Sequence, residues 1–293
     1  MYELVQAGEN TFYIDCPTKI GVWRESETDA WLIDAGNDKD AGRRVLKILK
    51  EQGWTLKGIL NTHSNADHIG GNRYLQEQTG CAIFASGMEA AMTRHTQLEP
   101  TLLWGGYPFR DLHHKFLHAQ ESDARDLGDP AFPNAIEVIP LPGHFLDMVG
   151  FRTPDQVVFL ADCLMNEDTL QKYGVTFLYD IGAQLDTLTR VERMEAKLFI
   201  PAHTQAAADV KALVRLNRAM ILEIADALLA ICQTPIMFED ILQTVFARYG
   251  LTMSAAQYVL VGSTVRSYLA WLKDTDKLAV RYEDNRMLWL RAE

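Results

Sequence analysis

Apolar and polar positions alternate with a period of two along the start of the chain. The runs 2–6, 11–16, 20–24 and 30–33 are short and rich in β-branched and aromatic residues, and they predict strands. Gly8-Glu9-Asn10 and the polar stretch 26–29 supply turns between them. From 38 to 52 the period lengthens. Val45, Leu46 and Leu49 share one helical face, and Gly53 ends the helix. A strand over 56–61, a helix over 72–79 and a strand over 81–85 follow, a βαβ alternation that predicts an α/β layered fold. The stretch 87–129 breaks the pattern. It starts helically and then becomes aromatic and interrupted by Gly and Pro around Trp104, Tyr107 and Phe109, which suits a lid or a pocket wall. Strands return at 135–141, 149–152 and 157–161. A helix over 181–194 and a strand over 197–200 close this part.

A boundary is expected near 204–209, dividing a domain of residues 1–208 from a linking helix and terminal unit of 209–293. Leu213, Leu216, Met220, Ile224 and Leu228 recur at spacings of three and four, an amphipathic helix. Further helices are predicted at 238–249, 254–261 and about 263–272. The strands 278–283 and 286–291 then pair across Asp284-Asn285. Three helices and a hairpin make a winged-helix-like unit.

The 293 residues suffice for two units with real cores, and 48% hydrophobic with 23% charged residues is ordinary for a soluble globular protein. A net charge of -11 argues against broad binding to nucleic acid or acidic lipid. Between 235 and 293 seven basic residues face seven acidic ones, so the terminal unit lacks the basic excess of a DNA reader. It is read as a packing or pocket-forming element, or as a homodimer contact. The start of the sequence shows no export signal and no run spans a membrane, so a cytoplasmic location without membrane association is expected. Cys16, Cys81, Cys163 and Cys232 are scattered and read as reduced thiols. Cys163 is read as core.

The candidate chemistry centres on the stretch 61–71. His63, Asp67 and His68 fall on one strand-to-helix turn, which can aim several side chains at one point. His144, Asp162 and His203 each close a later predicted strand. Rigid strand ends place such ligands while loops stay open to substrate. Imidazole and carboxylate are zinc ligands, and Asp162 can bridge two ions. His113, His114 and His118 have no carboxylate or cysteine partner at helpful spacing.

The string His63-Ser64-Asn65-Ala66-Asp67-His68, followed by His144, Asp162 and His203, resembles the metallo-β-lactamase fold superfamily, and within it the glyoxalase II-like hydrolases. The resemblance covers about residues 1–204 and implies an αββα sandwich with metals at one edge. It implies a first metal position of His63, residue 65 and His144, a second of Asp67, His68 and His203, and Asp162 bridging both. The family places histidine where this chain has Asn65. The amide either ligates weakly, supports the site from behind, or leaves the first position partly empty, so one or two ions of unequal affinity are expected. Zn²⁺ is the expected metal, and the donor set also accommodates Fe or Mn. Asp34 is implied as structural support for the ligand turn. Lys172 and Tyr173, in the loop after Asp162, are implied substrate contacts, and Trp104 and Tyr107 are further candidates.

The expected function is a metal-dependent hydrolase acting through a metal-bound hydroxide on a small-molecule ester, a thioester or lactone foremost, with Asp67 orienting the nucleophile. The alternatives are a metal-binding regulatory protein with a degenerate site and an iron-dependent thiol or persulfide oxidoreductase.

Overall fold

The run 30–33 is apolar at every position, so a strand there must be covered on both faces. The computed structural model describes residues 2–292 and places this run inside a seven-stranded sheet; the expected outer limits at residues 1 and 293 lie outside the described residues. Strands β1 (Glu3–Gln6), β2 (Thr11–Asp15), β3 (Ile20–Arg24) and β4 (Asp29–Ile33) are antiparallel neighbours. Three parallel strands extend the sheet: β5 (Thr55–Leu60), β6 (Ala82–Ala85) and β7 (Ala124–Asp126). Parallel neighbours need crossovers. Helix α1 (Lys39–Glu51) supplies the first, capped by the Asp38 carboxylate, which accepts from the N–H groups of Asp40 and Ala41. Helices α2 (Ala66–Ile69) and α3 (Asn72–Thr79) supply the second. The third holds α4 (Gly87–Arg94), α5 (Leu98–Trp104) and a 3₁₀ turn at Arg110–Leu112.

The second sheet has the order β11-β10-β9-β8, from β8 (Glu137–Pro140), β9 (Val149–Arg152), β10 (Val157–Ala161) and β11 (Leu198–Pro201). Between β10 and β11 run α6 (Glu167–Tyr173) and α7 (Ile181–Arg193). Residues alternate across each sheet. Trp31, Ile33, Val157 and Phe159 enter a core between the sheets. Leu32 faces Val45 and Leu49 of α1, while Val158 and Leu160 face the helices on the opposite side. The result is the expected αββα layering.

Helices α8 (Lys211–Ile231), α9 (Phe238–Arg248) and α10 (Ala255–Asp274) follow, with the hairpin of β12 (Leu278–Glu283) and β13 (Arg286–Arg291). Ile236 adds a bridge to Trp289. The two helices expected at 254–261 and 263–272 are one. Gly262 does not break α10, because one interior glycine costs only ~1 kcal/mol and this one packs near Leu242 and Phe238. One hydrophobic cluster contains Val158, Leu160 and Phe199 of the second sheet together with Leu228, Ile241, Val245 and Tyr268 of the terminal helices. The expected boundary at 204–209 therefore crosses a continuous core. No helix among the described residues is long and apolar enough to cross a membrane.

The segment 87–129 is packed wall for most of its length. Leu103, Leu112 and Leu117 form a cluster with Val259 of α10, and the far end becomes edge strand β7.

Candidate metal centre

The turn between β5 and α2 folds back against the loop after β4. Gly71 allows this: a Cβ there would lie 2.3 Å from the Ala35 carbonyl oxygen. Asp34 follows β4 with φ 64, a left-handed conformation that costs a non-glycine residue ~1–2 kcal/mol. Its hydrogen bonds over-determine it. Oδ1 accepts from the Thr62 N–H at 2.8 Å, and Oδ2 accepts from Thr62 Oγ1 and His68 Nδ1, both at 2.8 Å. Asp34 thus stands behind the turn as a brace. His144 is positioned by Gly143 (φ 132), which faces the Gln184 backbone at a distance no Cβ fits.

The four histidines share one arrangement. Nδ1–H of His68 donates to Asp34, that of His144 to the Phe177 carbonyl at 3.1 Å, and that of His203 to the Pro17 carbonyl at 3.1 Å. Thr62 Oγ1 donates its proton to Asp34, so it accepts from His63 Nδ1–H at 3.0 Å. Acceptors on every Nδ1 fix the tautomer and leave every Nε2 bare when the rings are neutral. The Nε2 atoms of three rings face one carboxylate. Asp162 Oδ1 lies 3.0 Å from His68 Nε2, and Oδ2 lies 3.1 Å from His203 Nε2 and 3.6 Å from His144 Nε2. His63 Nε2, His68 Nε2 and Asp162 Oδ1 are buried without a hydrogen bond. Converging buried lone pairs are costly unless a cation joins them. The ligand atoms of Asp67, His68, Asp162 and His203 lie within 4.8 Å of one another, as do those of His63, His144 and Asp162. The residues fit two metal positions sharing Asp162.

Asn65 sits at the first of these. Its Oδ1 lies 3.2 Å from His144 Nε2, and its Nδ2 donates to Glu99 Oε1 at 2.8 Å. Asp67 borders the second, with Oδ2 3.3 Å from His203 Nε2 and accepting from Thr18 Oγ1 at 3.0 Å.

The electrostatics divide the histidines. Burial and the neighbouring His68 hold His63 far below the usual imidazole range, and burial lowers His144 as well. Burial also opposes charge on His68 and His203, but Asp162 outweighs it, aided at His68 by Asp34 and at both by Asp67. His68 is raised strongly and His203 is pushed up to about 10. Burial would raise Asp67 and Asp162, and the facing His68 and His203 instead hold both below the carboxylate range. A proton on each of His68 and His203 thus occupies the second position in metal-free protein. At pH 7 full metal loading is expected to expel about two protons, not four, and affinity should climb with pH. Calorimetric titration in buffers of different ionisation enthalpy counts them. The charged His203 stabilises metal-free protein fully below pH 6.5, and that contribution fades as pH rises through about 10. Metal-loaded protein should not show this loss.

A cavity of about 750 Å³ opens onto the centre, bordered by Asp67, His144 and His203. Phe116, Lys172, Tyr173 and Phe177 form its walls with Gln257 and Leu260 of α10. Lys172 and Tyr173 belong to helix α6 rather than a loop. Asn166 caps that helix by accepting from the Thr169 N–H, and Gly174 stops it. Trp104 and Tyr107 do not line the cavity. Trp104 packs against Phe109 and Tyr258, and Tyr107 is 81% exposed. Phe116 takes the place expected of them. Cys163 is buried in the core, where burial raises its thiol pKa.

Three contributors escape the sequence pattern. Thr62 links Asp34 to His63. Glu89 accepts from the N–H and the side-chain hydroxyl of Ser64 and from the Asp147 N–H, and burial pushes it up to about 7. Glu99 holds Asn65 and is raised strongly by burial. Glu89 shares the buried face of α4 with Met92 and Thr93, and an acid on such a face is the signal that marks it.

Comparison with known proteins agrees with this geometry. The family model described as the metallo-beta-lactamase superfamily matches residues 15–203. The chain belongs to that superfamily. Curated relatives include a hydroxyacylglutathione hydrolase from Methylococcus capsulatus (strain ATCC 33009 / NCIMB 11132 / Bath), 45% identical over 161 residues, covering 55% of this chain and 50% of the relative. Another, from Hahella chejuensis (strain KCTC 2396), is 30% identical over 183 residues, covering 61% and 59%. The chain spans about half the length of the curated relatives it matches. Among solved structures, a beta-lactamase domain protein from Burkholderia ambifaria matches with a TM-score of 0.73 at 16% identity, covering 99% of this chain and 95% of that one. A metallo-beta-lactamase family protein from Thermus thermophilus matches at 0.71 and 17%, covering 99% and 98%. In both, the likeness of fold extends over the terminal helices and hairpin.

Proposed function

We propose that this superfamily member is a metal-dependent hydrolase of a small ester-like substrate, with thioesters the leading class. One observation supports the reading above all: four imidazoles, each tied at Nδ1, gather around Asp162, and two of them, His144 and His203, border an open cavity. His63, Asn65 and His144 would hold one ion, Asp67, His68 and His203 the other, and Asp162 both. Zinc suits the nitrogen-rich set, and the Asn65 oxygen makes the two positions unequal. A divalent ion bound there would lower the pKa of water toward ~7 and polarise a carbonyl.

The chain's own groups supply the rest. Asp67 stays unprotonated at neutral pH and reaches the cavity wall, so it can accept a hydrogen bond from the attacking water and orient it. Thr18 holds its Oδ2 in place. Phe116, Phe177 and Leu260 offer an apolar wall to an acyl group, while Lys172 offers one cation to an anionic end. Thioesters lead over lactones because the relatives are named for hydrolysis of acylated glutathione, an acyl group on sulfur. With a neutral terminal unit and α10 turned toward the cavity, nucleic acid is not the proposed partner.

The test is a panel of acyl thioesters and lactones, offered to protein loaded with Zn²⁺, Mn²⁺ or Fe²⁺ in turn. Thiol release from at least one thioester, abolished by chelation and restored by metal, is the expected result. Silence across the panel with every metal would remove the reading.

A further inference from the structure

Histidine and asparagine differ in a way that matters at residue 65. An imidazole presents a nitrogen whichever way its ring turns. An amide presents an oxygen in one orientation and a donor NH₂ in the other, and only the oxygen can meet a cation. Something must choose between them. Glu99, in the first turn of α5, accepts from one end of the amide while His144 meets the other. It is 5% exposed, it accepts from Asn65 Nδ2 at 2.8 Å, and it belongs to neither ligand group. With the amide reversed, the Asn65 oxygen would face the Glu99 oxygen at that distance, acceptor against acceptor wherever that oxygen bears no proton. The NH₂ group would then point at the first metal position. With an ion at that position both contacts are unfavourable, so the Glu99 oxygen and the ion together favour one sense of the amide.

We propose that Glu99 is a positioning residue that orients Asn65 so that its Oδ1 completes the first metal position beside His63 and His144. This rests on the two-position reading above. Asn65 and Glu99 then act as one unit, an oxygen donor and its holder, where the family uses a single imidazole. The segment 87–129 thereby does more than wall the cavity. Through α5 it reaches behind the metal centre.

The test is titration of full-length, chelator-treated protein with Co²⁺, followed by its visible absorption and by calorimetry. Wild-type protein should take one ion tightly, at the His68 and His203 position, and a second more weakly. Glu99→Ala should weaken the second phase by about 10- to 100-fold, as loss of a ligand's partner does, and leave the first unchanged. Glu99→Gln keeps an acceptor oxygen for Asn65 but adds a donor that can meet the reversed amide, so its second phase should fall between those of wild type and Glu99→Ala. In an Asn65→Ala background, Glu99→Ala should add no further loss. The proposal is overturned if wild type takes only one ion, if Glu99→Ala leaves the second phase intact, or if it weakens both phases alike. An equal loss in the Asn65→Ala background overturns it too, since Glu99 would then be holding the fold rather than the amide. The hydrolase reading fails on separate evidence, thioester turnover that survives chelation.

Discussion

Asp162→Ala is expected to lose metal at both positions and to reduce thioester turnover by about 10³-fold or more. The magnitude follows from the several kcal/mol of transition-state stabilisation that leave with the metal. The double loss follows from geometry. Asp162 is the one carboxylate shared by both ligand groups, with one oxygen toward His68 and the other toward His203 and His144. Its removal leaves the first group two imidazoles and an amide, and the second two imidazoles and Asp67. The fold should survive, because Asp162 lies just past the end of β10 and the packing of Val158 and Leu160 does not depend on it. Metal content by elemental analysis, circular dichroism and turnover should be read on one sample. Activity and metal near wild-type levels would mean that the centre lies elsewhere.

A second large effect is expected from truncation after residue 208. The fragment should not fold, although it contains every proposed metal ligand. Val158, Leu160, Phe199, Leu188 and Val191 share one cluster with side chains of α8, α9 and α10. Each large side chain returned to water costs ~1.5–3 kcal/mol. Those residues together match the whole stability of an ordinary domain, ~5–15 kcal/mol. The full chain should accordingly unfold in one thermal transition reported alike by near- and far-ultraviolet dichroism. A fragment 2–208 that melts cooperatively near the temperature of the full chain would show that the cluster divides more cleanly than its packing suggests.

Much of the αββα layering was legible because the buried strands carry two-sided apolar runs and the crossovers carry 3.6-residue periods. The candidate ligands were legible for a related reason: Asp162 and His203 follow strand ends by one and two residues, where the backbone fixes the side chain, and His144 follows β8 by four, past the turn at Gly143. What was not legible depended on contacts distant in sequence. Glu99 meets Asn65 across 34 positions, and nothing in either local pattern announces the pair. Trp104 and Tyr107 belong to an aromatic stretch that suited a pocket, but only the fold decides that Phe116 lines the cavity while Tyr107 faces solvent. Gly262 suggested a break in a helix whose packing overrides the local preference. The loop expected at Lys172 had a cap at Asn166 and a stop at Gly174, both readable signals.

Helix α10 has one more consequence. Gln257 and Leu260 border the cavity, while Tyr268 and Leu269, further along the same helix, are buried in the core shared with the second sheet. Any compound that fills the cavity binds the folded helix and not the frayed one, so occupancy must slow the opening of its backbone. Deuterium uptake along α10 is therefore a gauge of occupancy that is indifferent to turnover. Substrates, products and inert mimics can be ranked on the same scale, with the metal present or stripped away.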